Sequence, residues 1–270
     1  YESLQVGNLT PEKKSKMLHP HSRLSAEHIP ELQELAANGA SPNAFTSNAI
    51  TGYYFESTEK FEENLRILLS FVSIPYFTKE SVDKEQGIIG QEIGMIEDDP
   101  DWVVFMDLMQ ALYEKHPVRV SVAGSAESIS HITAETLYAC HKAFYDPSNM
   151  VLCVAGDVDP EKICQAAREI LPERPGAPVA RGDYGAQEPA EVCQPMIQRE
   201  MEVSVPLFQL GFKGEAAPEG EGALRQQLLG ELACEALLGN SGPLYARLYR
   251  EGLVNRNFSY GYESSPGCAF

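Results

Sequence analysis

Two glutamates are the residues of this sequence best spaced for joint chemistry. Glu85 and Glu92 stand seven residues apart in KEQGIIGQEIGMIEDD, with Ile88 and Ile89 between them and Met95 and Ile96 after. On a helix, residues i and i+7 lie almost one above the other, two turns apart. Both carboxylates therefore fall on, or beside, an apolar stripe. A carboxylate on a buried stripe is costly unless it is paired, hydrogen-bonded or bound to a metal ion. Two readings stay open: a site with one carboxylate as metal ligand and the other holding a neighbouring group, or two acids at the stripe's edge reaching water. Gly87, Gly90 and Gly94 lie in the same helix. Each costs ~1 kcal/mol against alanine, which implies that something packs close to the backbone there.

Other metal-capable side chains are sparser. His19, His21 and His28 cluster in the sequence, but Pro20 and Pro30 interrupt any common helix. They read as a histidine-bearing loop. The six cysteines (Cys140, Cys153, Cys164, Cys193, Cys234 and Cys268) form no C-x-x-C pair. They read as small buried hydrophobes in a reducing compartment, with a cytoplasmic location expected.

The elements that must position these groups alternate irregularly. SAEHIPELQELAANG reads as a short helix with Ser25 as N-cap and Gly39 as its stop. ASPNAFTSNAITGYYFEST reads as two strands or one long bent strand. Residues 59–75 carry Phe61, Leu65, Leu68, Leu69 and Val72 at helical spacing, closed by Pro75. Thr78 caps the glutamate-bearing helix, a third helix spans Trp102 to Tyr113, and Thr133 caps a fourth. MVLCVAGDV (150–158) and PMIQREMEVSVPLFQLGFKG (195–214) read as strands. Helices are expected over DPEKICQAAREIL, GALRQQLLGELACEALLG and GPLYARLYREG. The Pro-, Gly- and Ala-dense stretch 172–191 is the linker candidate. Strand pairs and consecutive helices favour α+β over a doubly wound parallel sheet.

The totals exclude several partners. Of 270 residues, 43% are apolar, enough for a sizeable core. The net charge of -18 repels phosphate backbones and anionic membranes, so no nucleic acid and no membrane are expected. No run reaches the length of a membrane span.

Seven blocks in order bring a family into view: GASPNAFTS (39–47), EENLRILLSFVSIPYFT (62–78), KEQGIIGQEI (84–93), DDPDW (98–102), HPVRVSVAGSAESISHIT (116–133), FYDPSNMVLCVAGDVDPE (144–161) and LYARLYREGL (244–253). Together they resemble the pitrilysin/insulinase (M16) zinc peptidases, in the bacterial processing-protease-like branch. The resemblance implies a LuxS/MPP-like metallohydrolase fold: antiparallel sheets backed by helices, in two related halves, here residues 1–178 and a second, incomplete half over 179–270. It implies zinc as cofactor, an unfolded peptide as substrate, and a second M16-like half, lobe or subunit as partner. By resemblance Glu92 matches the distal zinc ligand and Glu85 the glutamate that supports the site. Asn43, Ala44 and Phe45 match the edge-strand segment that pairs with substrate backbone. Arg119 receives no role.

The family's inverted zinc motif, H-x-x-E-H, would supply two histidine ligands and a glutamate that activates the metal-bound water. It does not occur in these 270 residues. Its expected window, TPEKKSKMLHPHSRL (10–24), offers PEKKS, with Lys14 in place of the glutamate, or MLHPH, with Pro20 there and only His21 matching. The chain as written is therefore expected to bind rather than cleave peptides. Two alternatives stand beside this: an active zinc metalloendopeptidase whose motif lies outside these residues, and a non-catalytic partner or scaffold subunit.

Overall fold

A computed structural model describes residues 30–171 and 188–270. These divide into two compact units: 30–96 with 122–171, and 97–121 with 188–270.

In the first unit the first described element is α1 (Pro30–Ala37). Gly39, at φ 77°, ends it: its N–H donates to Ala36 O while Ala40 N–H reaches back to Leu35 O. The left-handed turn is inexpensive for glycine alone. The expected cap Ser25 lies outside the described residues. β1 (Ser41–Thr46) and β2 (Thr51–Glu56) follow as an antiparallel hairpin, the two-strand reading of that stretch. α2 (Phe61–Ser73) buries Leu65, Leu69 and Val72 at helical spacing. α3 (Lys79–Glu97) opens on the expected cap: Thr78 Oγ1 accepts from Ser81 N–H at 3.1 Å, and Ser81 Oγ accepts from Thr78 N–H at 3.0 Å. α5 (Ala126–Ser130) and α6 (Ala134–Phe144), the latter capped by Thr133, precede α7 (Pro160–Ile170). α7 packs on α2 through Ala166 against Leu65 and Leu69, with Phe55, Phe61 and Ile163 around them.

The second unit holds α4 (Pro100–Leu112), α8 (Glu221–Leu238), α9 (Pro243–Arg250) and the short hairpin β3 (Ser264–Ser265) with β4 (Cys268–Ala269). Its core joins Met109, Leu112, Tyr113 and Val118 to Cys268, with Phe105, Leu108 and Phe270 packed against them. The architecture is α+β, helix-dominated with small antiparallel sheets. No described helix is long and apolar enough to cross a membrane.

Three expectations fail. Residues 150–158 and 195–214 join no ladder among the described residues. Apolar alternation makes a strand only where a neighbour takes its N–H and C=O groups. Here Val151, Val205, Phe208, Leu210 and Phe212 face solvent. The cysteines are not a buried set: only Cys268 is, with burial pushing its thiol up to about 11, while Cys140, Cys153, Cys164 and Cys193 are exposed. Nothing described lies within 4 Å of where a Cβ would stand on Gly87, Gly90 or Gly94. The close neighbour that three glycines imply is not among the described residues.

Candidate functional site

The hairpin places Asn43, Ala44 and Phe45 in the middle of β1, opposite Tyr54, Tyr53 and Gly52. Its turn is fixed by Ser47, whose N–H donates to Ile50 O at 2.8 Å and whose Oγ accepts from Ile50 N–H at 3.2 Å. Hydrogen-bonded pairs alternate along an antiparallel ladder. Counting from the Ser47–Ile50 pair, Phe45 and Asn43 turn their main-chain groups toward β2, and Ala44 and Thr46 turn theirs away. Consistent with that alternation, Ala44 N–H donates to Asn43 Oδ1 at 2.8 Å. The Phe45 ring lies over Gly52, where an added Cβ would collide with Phe45 Cε1. That close approach needs glycine.

Behind the hairpin, Tyr53 is tied to α6. Its hydroxyl and that of Tyr145 are 2.7 Å apart, and the His141 ring stacks on Tyr145 at 4.6 Å. His141 Nε2–H donates to Val72 O at 2.9 Å, joining α6 to the end of α2. Burial, with the Tyr145 hydroxyl adding to it, pushes the Tyr53 hydroxyl well above the ordinary tyrosine value.

On α3 the buried side chains are Val82, Ile93 and Ile96. At about 100° per residue, Glu85 and Glu92 share one flank of that stripe, about 50–70° from its middle. Glu85 is exposed and Glu92 half-buried. Their shared face is as expected, at the stripe's edge and not on it. Among the described residues, no three His, Cys, Asp or Glu side chains gather as metal ligands. His19, His21 and His28 lie outside the described residues. One half-buried carboxylate is not a zinc donor set, so the described residues do not fit the metal.

Between the two acids sits a residue that periodicity missed. Gln86 Nε2 donates to both Ile129 O and Ile132 O at 2.8 Å. It fills carbonyls at the end of α5 and so fixes α3 against the 126–133 segment. The HPV block also acquires a structural account. His116 Nδ1 accepts from Val118 N–H at 3.1 Å, and its Nε2–H donates to Pro266 O at 3.0 Å. Arg119 Nε donates to Tyr113 O at 3.0 Å. Neither role has a sequence signal, because all three partners are main-chain atoms.

A family model described as "Insulinase (Peptidase family M16)" matches residues 23–126, and one described as "Peptidase M16 inactive domain" matches residues 131–270. The chain belongs to the M16 peptidase family, the lineage that the ordered blocks resemble. It is 40% identical over 242 residues to a Bacillus subtilis protein named as the uncharacterized zinc protease YmfH, covering 88% of this chain and 56% of that one. An uncharacterized zinc protease of Rickettsia felis is 28% identical over 200 residues, covering 73% of this chain and 47% of its own length. The crystal structure of an M16-like peptidase from Alicyclobacillus acidocaldarius aligns with TM-score 0.76 and 32% identity, over 92% of this chain and 59% of that one. A protease from Helicobacter pylori, 17% identical, shares the fold at TM-score 0.69, over 89% of this chain and 58% of that one. This chain thus spans about half the length of these relatives.

Proposed function

We propose that this chain is part of an M16 peptidase-like protein that holds an extended peptide and does not hydrolyse it as it stands. The observation that carries this is the M16 lineage without H-x-x-E-H anywhere in its 270 residues. Of the family's three zinc ligands, the resemblance leaves only Glu92, with Glu85 as its former support. β1, with Asn43, Ala44 and Phe45 at its middle, is the segment proposed, by family resemblance, to pair with peptide. Main-chain pairing suits a peptide of any sequence, because every residue offers the same donors and acceptors. The partner is a second M16-like half, lobe or subunit. The coverage of only 56–59% of YmfH and the Alicyclobacillus peptidase supports it, as do the exposed Phe208, Leu210 and Phe212. Two halves, 1–178 and 179–270, remain our division of the chain. Six unpaired cysteines support a reducing, cytoplasmic setting.

The test uses the 270-residue chain, an unstructured fluorogenic peptide and elemental zinc analysis. Binding without turnover, and zinc well below one per chain, is the expected result. Stoichiometric zinc or steady turnover refutes the non-catalytic reading. An N43A/F45A variant should bind the peptide more weakly; equal binding removes the edge-strand assignment and leaves a scaffold role. A second reading, an active zinc metalloendopeptidase whose motif lies on residues outside these 270, draws support from relatives named as zinc proteases that are longer than this chain. Intact mass of the natural protein separates it: a polypeptide several kilodaltons above 29.7 kDa favours it.

A further inference from the structure

The turn that follows α4 carries a built anion site. Three successive main-chain N–H groups, of Glu114, Lys115 and His116, converge on one carboxylate, that of Glu188, at 2.8, 2.6 and 2.7 Å. Lys213 Nζ adds a fourth donor at 2.7 Å. Glu114 N–H and Lys213 share Oε1, and Lys115 and His116 N–H share Oε2, so about four lone-pair sites of the carboxylate are filled. The Glu188 and Lys213 side chains are 5% and 6% exposed. Lys213 is itself held by Glu191 O at 3.0 Å and lies 4.8 Å above the Tyr113 ring.

The walls of this nest do not depend on Glu188. Arg119 Nε ties Tyr113 O, Tyr113 Oη–H donates to Ala269 O at 2.7 Å, and His116 is fixed at both ring nitrogens. Successive N–H groups aimed into one concavity bind anions through fixed dipoles that need no reorganisation. We infer that residues 114–116 with Lys213 form a preorganised carboxylate-binding site, which the chain fills in cis with Glu188 to pin the segment entering 188–214. A small free carboxylate enters only when the Glu188 side chain is gone.

The test is rescue of an E188A variant of the 270-residue chain by acetate at neutral pH. Chloride at equal ionic strength is the control, and thermal melting is the readout. E188A should melt below the parent; acetate should restore part of the loss with a saturating dose response, and leave the parent unmoved. E188A/K213M should lose the rescue. If acetate acts no better than chloride on E188A, or acts equally on the parent, the site is an ordinary ion pair and the inference is wrong. Should E188A not fold, E188Q serves: an uncharged amide cannot replace a carboxylate facing three N–H groups and an ammonium, so melting equal to the parent overturns the inference.

Discussion

The three glycines of α3 give a prediction whose sign is set by geometry. In a helix interior, glycine costs ~1 kcal/mol against alanine, mainly through backbone entropy in the unfolded chain. Alanine recovers this only where its methyl group meets no neighbour. Around Gly87, Gly90 and Gly94 nothing described lies within 4 Å of that methyl position. The triple variant G87A/G90A/G94A should therefore be more stable than the parent by about 2–3 kcal/mol. At roughly 2–4 °C per kcal/mol for a chain of this size, that is a rise of about 4–12 °C in melting temperature. Thermal and urea unfolding of the triple and of each single variant measure it, and the three increments should be similar. A backbone packed against the helix would reverse the sign, since overpacking costs about 1–3 kcal/mol per site. A triple variant that melts at or below the parent refutes the open face, and restores the expectation that a close neighbour, of this chain or of a partner, covers α3.

The same substitution on α8 should do the opposite. A Cβ on Gly230 would collide with one edge of the Tyr262 ring, so G230A should destabilise by about 1–3 kcal/mol in urea unfolding, and a gain in stability would show that Tyr262 does not lie there. Arg199 makes a bidentate pair with Asp107 at 2.7 and 2.9 Å, Asp107 being 10% and Arg199 54% exposed. R199M should cost about 1–3 kcal/mol by stranding a buried carboxylate, and D107N in the same chain should recover part of it; additive losses in the double-mutant cycle refute this. Burial alone would raise Glu188, but Lys213 and the three N–H groups outweigh it and hold the carboxyl down to about 2. A depressed folded value adds stability above the unfolded value of 4.5 that is lost as pH falls toward 2, about 3 kcal/mol in all. Stability of the parent relative to E188Q, followed by urea midpoints across that window, should shrink as acid is added; a constant difference refutes it.

What was legible in the sequence was what neighbours along the chain determine. Thr78 and Thr133 declared their helices because a cap bonds to an amide three residues on. Leu65, Leu69 and Val72 declared a face because helical spacing puts them on one side. Residues 150–158 and 195–214 misled for the converse reason. Their alternation is real, but a strand is completed by a second chain segment, and among the described residues they join no ladder, although Gly214 N–H reaches Ala269 O at 2.7 Å. The cysteines misled likewise. Apolar flanks suggested burial, yet burial depends on what packs against the segment, and only Cys268 has the core of α4 around it.

The site divides along the same line. Spacing alone put Glu85 and Glu92 on one face and left their chemistry undecided; the structure sets them on the flank of a stripe, one exposed and one half-buried. Only the resemblance distinguishes a zinc-ligand position from a surface acid there, because H-x-x-E-H, the motif that completes the family's zinc site, does not occur in these 270 residues. The Glu188 nest was invisible for a different reason. Three of its four donors are main-chain amides whose side chains, Glu114 and Lys115 among them, point to no shared chemistry, and its acceptor stands 72 residues from His116. An anion site built mostly from backbone leaves little residue-type signature, so it is found only by asking where each buried charge places its hydrogen bonds.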